Sequence, residues 1–206
     1  MKLFKLLFWI ILIIHFGIIS GCKSNSSSQK ERDSIIIIEK PNTEFIAFLK
    51  KFKPLTLPVE IKTLDINFEA FTKLNNKDNV FIKSQYPDEI YTYGILPDTS
   101  EYYKIIWLAP LEYQVPVLTT FTKTGKKISE EYLGVNGCGS DCCFKCKEYI
   151  RINKDFTIFS ADSIKSCECD SSGPKENTTK KHIRYKTGKI LKDGKISMSQ
   201  ILEKPN

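Results

Sequence analysis

The sequence is poor in the residues that most often announce chemistry. Histidine, methionine and tryptophan occur twice each, and glycine ten times, in 206 residues. One histidine, His15, lies inside an apolar run, which leaves His182 alone as a candidate base or nitrogen ligand. A catalytic base needs an orienting partner and a pocket, and the immediate neighbours of His182 are Lys180, Lys181 and Arg184. No serine elbow, glycine-rich phosphate loop or paired-carboxylate motif stands out. These gaps remove the readable hydrolase, nucleotide-binding and histidine-ligated metal classes, and the expectation is a protein that is not an enzyme. No internal repeat of fixed length is present either. Long apolar runs are equally scarce: there is one, and it opens the chain.

That run is Leu6 to Ile19, apolar except for His15 and Gly17, with Lys2 and Lys5 ahead of it. It has the length of a secretory signal core and is short for a bilayer-spanning helix. It ends Ile19-Ser20-Gly21-Cys22: aliphatic, small, small, cysteine. Cationic start, apolar run and cysteine in that order resemble the lipobox of bacterial lipoproteins. The resemblance covers residues 1–22 and no more. It implies that residues 1–21 are removed and that the Cys22 thiol carries a lipid. Each buried CH₂ contributes about 0.8 kcal/mol, so several acyl chains hold a soluble domain on a membrane where one would not. The partner this implies is the membrane itself, and the location is the bacterial cell envelope, periplasmic or at the cell surface.

Without the leader the formal charge falls from +7 to +5, because Lys2 and Lys5 leave and no carboxylate does. The remaining chain is long enough for one domain with a real core. Its lysines and arginines are spread along the sequence among Glu and Asp, whereas nucleic-acid binding calls for a concentrated basic patch. No nucleic-acid partner is expected. Lys23 to Ser34 contains no apolar residue. Such a segment buries nothing and reads as a disordered tether, so residues 22–34 are taken as lipidated cysteine plus spacer and 35–206 as a single domain.

Within that domain Ile35–Ile38 reads as a short buried strand. Asn42 or Thr43 can cap a helix whose stripe is Phe45, Phe48, Leu49 and Phe52, at i, i+3, i+4, i+7, ended by Pro54. Leu55–Ile61 is extended, and Asp65–Leu74 reads as a second short helix. From Val80 the period becomes two. Glu89–Leu96, Tyr102–Leu108, Val115–Phe121 and Ile128–Leu133 read as successive antiparallel strands, the second of them central because it is apolar on both faces. Asn153-Lys154-Asp155 is a turn signal between Glu148–Ile152 and Phe156–Ser160, which predicts Ile152 opposite Phe156 and Lys147 near Ala161. Cys167–Lys181 is polar and reads as a loop. Ile183 and Tyr185 then alternate with polar residues, and Asp193-Gly194 makes a tight turn. Lys180, His182, Arg184 and Lys186 share one strand face, read as a solvated edge strand whose charges discourage aggregation.

Seven cysteines less Cys22 leave six, an even count of the kind that forms a disulfide framework in exported proteins. Cys138, Cys142, Cys143 and Cys146 precede one strand of the predicted hairpin, and Cys167 and Cys169 follow the other. The two clusters should therefore meet at one end of that hairpin. Disulfides are the preferred reading, with Cys142 and Cys143 sent to different partners and the connectivity left open. A thiolate site for zinc or copper through Cys143, Cys146, Cys167 and Cys169 is the alternative. Its spacing resembles a zinc ribbon except that the second pair is CxC. A redox dithiol at Cys143 and Cys146 comes third, because the pair precedes a strand rather than opening a helix.

The sum of these readings is a mainly β, single antiparallel sheet domain, meander or sandwich-like, with one N-terminal amphipathic helix and a disulfide-rich corner. Functionally it is a lipid-anchored envelope protein carrying a non-enzymatic binding or structural module without cofactor. The alternative is metal binding or thiol redox chemistry.

Overall fold

A computed structural model describes residues 42–62, 67, 70–111, 113–139 and 141–205. The leader, Cys22, the tether and the Ile35–Ile38 strand lie outside the described residues.

The chain from Glu39 onward forms one compact unit, mainly β and antiparallel. Its first element is helix α1 (Thr43–Leu49). Asn42 is the cap: its Oδ1 accepts the backbone N–H of Glu44 at 2.9 Å and that of Phe45 at 3.4 Å, satisfying donors that the first helical turn leaves orphaned. Phe45, Phe48 and Leu49 are buried, as the stripe predicts. Strand β1 (Val59–Ile61) follows. Of the second helix expected over residues 65–74, residues 65, 66, 68 and 69 lie outside the described residues. Ala70 N–H closes a helical turn on Asn67 O at 3.2 Å, and the end of the span is extended, with Lys73 bridging Tyr91 and Leu74 N–H donating to Ile90 O at 2.8 Å. A four-residue helix α2 (Asn79–Ile82) comes later, inside the stretch whose apolar spacing read as two.

Four strands then build a meander: β2 (Tyr91–Ile95), β3 (Tyr103–Pro110), β4 (Gln114–Phe121) and β5 (Lys127–Tyr132), in that order across the sheet. The expected central strand is central. Seven consecutive residues of β3 are buried, as are seven of β4, because this sheet is covered twice. Phe45, Phe48 and Phe52 pack on Ile105, Trp107, Val117 and Phe121 of one face. Ile106 and Leu118 of the other face meet Ile150, Ile152, Ile158 and Ile190 of a second sheet. The result is three layers: helix, four-stranded sheet, six-stranded sheet.

The second sheet runs β1, β6 (Lys145–Ile152), β7 (Thr157–Ser166), β10 (Lys180–Ile190), with β11 (Ile196–Met198) and β12 (Leu202–Pro205) both on the far side of β10. The β6–β7 hairpin forms, with a different register. Ile152 pairs with Ile158 and Lys147 with Ser163, not Phe156 and Ala161. The reason is local: Phe156 adopts φ +61° and is the last turn residue rather than the first of the strand, and Asn153 N–H closes the turn on Thr157 O at 2.9 Å. A left-handed residue ending a three-residue connection is a common hairpin solution. Moving the pairing by two residues keeps every side chain on its predicted face. The polar segment expected as a loop also carries structure: a small hairpin, β8 (Cys169–Asp170) with β9 (Gly173–Pro174).

Candidate functional site: a disulfide corner over an ionic seam

The two faces of the six-stranded sheet follow from its register. On the inner face, toward the four-stranded sheet, successive rows cross the strands. One row is Val59, Ile152, Ile158 and Gly188. The next is Ile61, Ile150, Ser160 and Lys186, and then come Glu148, Asp162, Arg184 and Glu203. The last is Cys146, Ile164, His182 and Pro205. The face therefore runs from aliphatic, through ionic, to sulfur.

Above the sulfur row the structure forms three disulfides: Cys138–Cys146, Cys142–Cys169 and Cys143–Cys167. The hairpin brings both cysteine clusters to one end, as its strands require. The vicinal pair Cys142 and Cys143 goes to two partners. Cys143 does so with φ +63°, a turn conformation that aims adjacent side chains apart. Bonds closing loops of 24 and 27 residues each remove chain entropy equivalent to about 3 kcal/mol in the unfolded state. Cys143, Cys146, Cys167 and Cys169, the alternative zinc or copper quartet, are distributed over all three bonds. Cys143 and Cys146 are not joined to each other as a CxxC dithiol would be. The Cys138 and Cys146 sulfurs lie within 4.8 Å of an Asp162 oxygen, but as bonded sulfurs they carry no thiolate charge for a metal.

The ionic row holds the corner from below. Glu148 and Asp162 are 4% and 0% exposed. Residues 133–138 cross over them, and each carboxylate accepts a backbone N–H from that segment: Asp162 Oδ2 from Gly137 at 2.6 Å, Glu148 Oε1 from Val135 at 3.2 Å. The acids thus lash down the stretch that delivers Cys138 to its disulfide. The approach is so close that a side chain at either glycine would have to displace the ionic groups beneath it. A Cβ on Gly134 would sit 2.6 Å from Glu148 Oε1, and one on Gly137 would sit 2.6 Å from Asp162 Oδ2 and 3.0 Å from Arg184 Nη1. Lys186 reaches out of the sheet and donates to Tyr132 O at 2.7 Å, tying the end of β5 to the same seam.

Burial sets the electrostatics. It pushes the Asp162 carboxyl above its ordinary range, against the Gly137 N–H and the positive charges of Arg184 and Lys186. It pushes the Lys186 ammonium down, against Glu131, Glu148 and Asp162. Asp162 Oδ1 and Ser160 Oγ, neighbours on the inner face of β7, are both buried without a hydrogen-bond partner.

This placement corrects the reading of Lys180, His182, Arg184 and Lys186. They do share a face, but β10 is not an edge strand. It pairs with β7 along ten residues on one side and with β11 and β12 on the other. Their face is the inner one, so Arg184 and Lys186 are partners of buried acids rather than solvated gatekeepers. Sequence reading missed Glu148, Asp162 and the two glycines. The available signal was Gly134 and Gly137 three residues apart, just before a cysteine.

Comparison with protein-family models, with curated proteins and with solved structures finds no match to this chain.

Proposed function

We propose that the protein is a lipid-anchored component of the bacterial cell envelope, held by acyl chains on Cys22, whose folded part is a non-enzymatic binding module. The single observation that supports this best is the set of three disulfides. Bonds of this kind persist in oxidising compartments outside the cytoplasm, and a chain led by Lys2, Lys5, an apolar run and Ile19-Ser20-Gly21-Cys22 is one that cells export. The two features are independent and agree. The binding reading draws support from the outer face of the six-stranded sheet, which no element of the described chain covers.

The test is metabolic labelling with a fatty acid. The full chain should take up label and sediment with membranes, and Cys22→Ala should lose both while remaining exported. If the alanine variant is processed and fractionates like the parent, the anchor is wrong. Alkylation with and without prior reduction tests the cysteine half: the mature domain should accept label at six thiols only after reduction.

A further inference from the structure

The outer face of the six-stranded sheet is formed by the residues that alternate with the seam. Its rows, read across β6, β7 and β10, are Arg151, Phe159 and Thr187; then Tyr149, Ala161 and Tyr185; then Lys147, Ser163 and Ile183; then Lys145, Lys165 and Lys181. β12 extends the second and third rows with Leu202 and Lys204. Along β7 the floor is small: Ala161 between the two tyrosines, then Ser163 between Lys147 and Ile183. This makes a shallow trough that leads from an aromatic cradle to a row of three ammonium groups. Neighbouring strands lie about 4.8 Å apart, so the lysine row is about 10 Å wide, and it begins about 13 Å along β7 from Ala161.

The charge on this face is one-sided. Among the outward-facing residues of the described strands Glu60 is the one carboxylate, and it is occupied by Arg151 at 3.0 Å and by the Tyr149 hydroxyl at 3.0 Å. Lys145, Lys147, Lys165 and Lys181 have no ion-pair partner among the described residues, and all four are exposed. The rings are accessible yet anchored: Phe159 is 37% exposed and tilted against Tyr185 with centroids 6.2 Å apart, and Lys204 Nζ lies 5.6 Å from the Tyr185 ring.

We propose that this trough binds a linear anionic glycan, with a sugar ring seated between Tyr149 and Tyr185 and its acidic groups on Lys145, Lys165 and Lys181. The charge complementarity calls for a polyanion. The half-exposed Tyr149 and Tyr185 rings, with Phe159 beside them, offer an aromatic surface for a sugar ring. A protein partner would want an apolar centre with a polar rim, and here the centre is Ala161 and Ser163. Insertion into a lipid surface would want several projecting Trp, Phe and Leu side chains, and this face has two: Phe159, which lies against Tyr185, and Leu202 at its margin on β12. The choice of glycan rests on the envelope reading above, since aromatic and basic surfaces in other compartments take single-stranded nucleic acid.

The experiment uses the purified full-length protein in detergent and measures binding to polygalacturonate by calorimetry over a range of salt. Dextran, polyglutamate, oligothymidylate and phosphatidylglycerol vesicles are the comparators. Polygalacturonate should bind, weaken with salt, and exceed every comparator. The triple variant Lys145→Ala, Lys165→Ala, Lys181→Ala and the double variant Tyr149→Ala, Tyr185→Ala should each lose about tenfold in affinity, with circular dichroism unchanged and the protein still folded at the assay temperature. Tyr149→Phe with Tyr185→Phe should retain binding, because the ring faces remain. Equal or tighter binding of polyglutamate, oligothymidylate or vesicles overturns the glycan and leaves a binding module. Undiminished binding by the alanine-ring variant overturns the cradle. Failure of every probe, with fatty-acid labelling intact, overturns the trough as a binding site and leaves the anchor standing.

Discussion

The four-stranded sheet brings apolar side chains of β3 and β4 to both of its faces, with a phenylalanine helix on one side and isoleucines on the other. The six-stranded sheet has an apolar layer on one face, and there only over the end near Ile152 and Ile158. Beyond Ile150 its inner face turns to Glu148, Asp162, Arg184 and Lys186, and the chain above it is fastened by hydrogen bonds and sulfur. Two kinds of cohesion thus share one domain. One is non-directional and scales with buried area. The other is directional, depends on individual atoms and costs desolvation. The first should dominate stability, and the second should dominate the shape of one corner.

That contrast can be broken in four places. The largest effect is expected from Phe48→Ala, which removes a ring packed 5.1 Å from Phe52 and 5.0 Å from Phe81. Denaturant unfolding should show a loss of about 3–5 kcal/mol. Cys142→Ser with Cys169→Ser should cost less, about 3 kcal/mol at most, and leave far-ultraviolet circular dichroism unchanged. If the cysteine pair costs more than the phenylalanine, the ranking of the two regions is wrong.

Asp162→Asn should give a smaller effect whose sign depends on pH. The buried carboxyl has its folded-state pKa above the ordinary 3.8, so the native state holds that proton more tightly than the unfolded chain. The cost of ionising it is fully present above the folded pKa and is relieved as pH falls below the unfolded one. The melting temperature of the amide variant, relative to the parent, should therefore rise from acid toward neutral pH. An unchanged difference across that range would mean that Asp162 is not held as described. The smallest effect belongs to Ser160→Ala. Removing an unpartnered buried hydroxyl should be neutral or raise stability by about 1 kcal/mol, and a marked loss would mean the hydroxyl has a partner.

Patterns that live within one segment were legible. The helix stripe at Phe45, Phe48, Leu49 and Phe52, the central strand at β3 and the meeting of the two cysteine clusters each follow from local periodicity or from one hairpin. What needed several strands at once was not legible. Lys145, Lys165 and Lys181 are scattered in the sequence and look like ordinary surface charge, yet the register of β6, β7 and β10 sets them side by side. The seam was hidden because the alternation pointed the wrong way: Tyr149, Ala161, Ile183 and Tyr185 sit opposite Glu148, Asp162 and Arg184 along their strands, so the apolar set read as the inner face and the ionic set as the solvated one. The two-residue error in hairpin register came from Phe156, a bulky residue in a conformation usually left to Gly or Asn.

The borders of the six-stranded sheet have a further consequence. Among the described residues it ends on one side in β1, three residues long and entered through Pro58. On the other it ends in β11 and β12, three and four residues long, the latter finishing at Pro205. Proline offers no N–H, and strands so short give a stranger's backbone little to align with. These borders therefore give neighbouring copies little backbone to pair with along this sheet, and the ladder between them is left for contacts made by side chains.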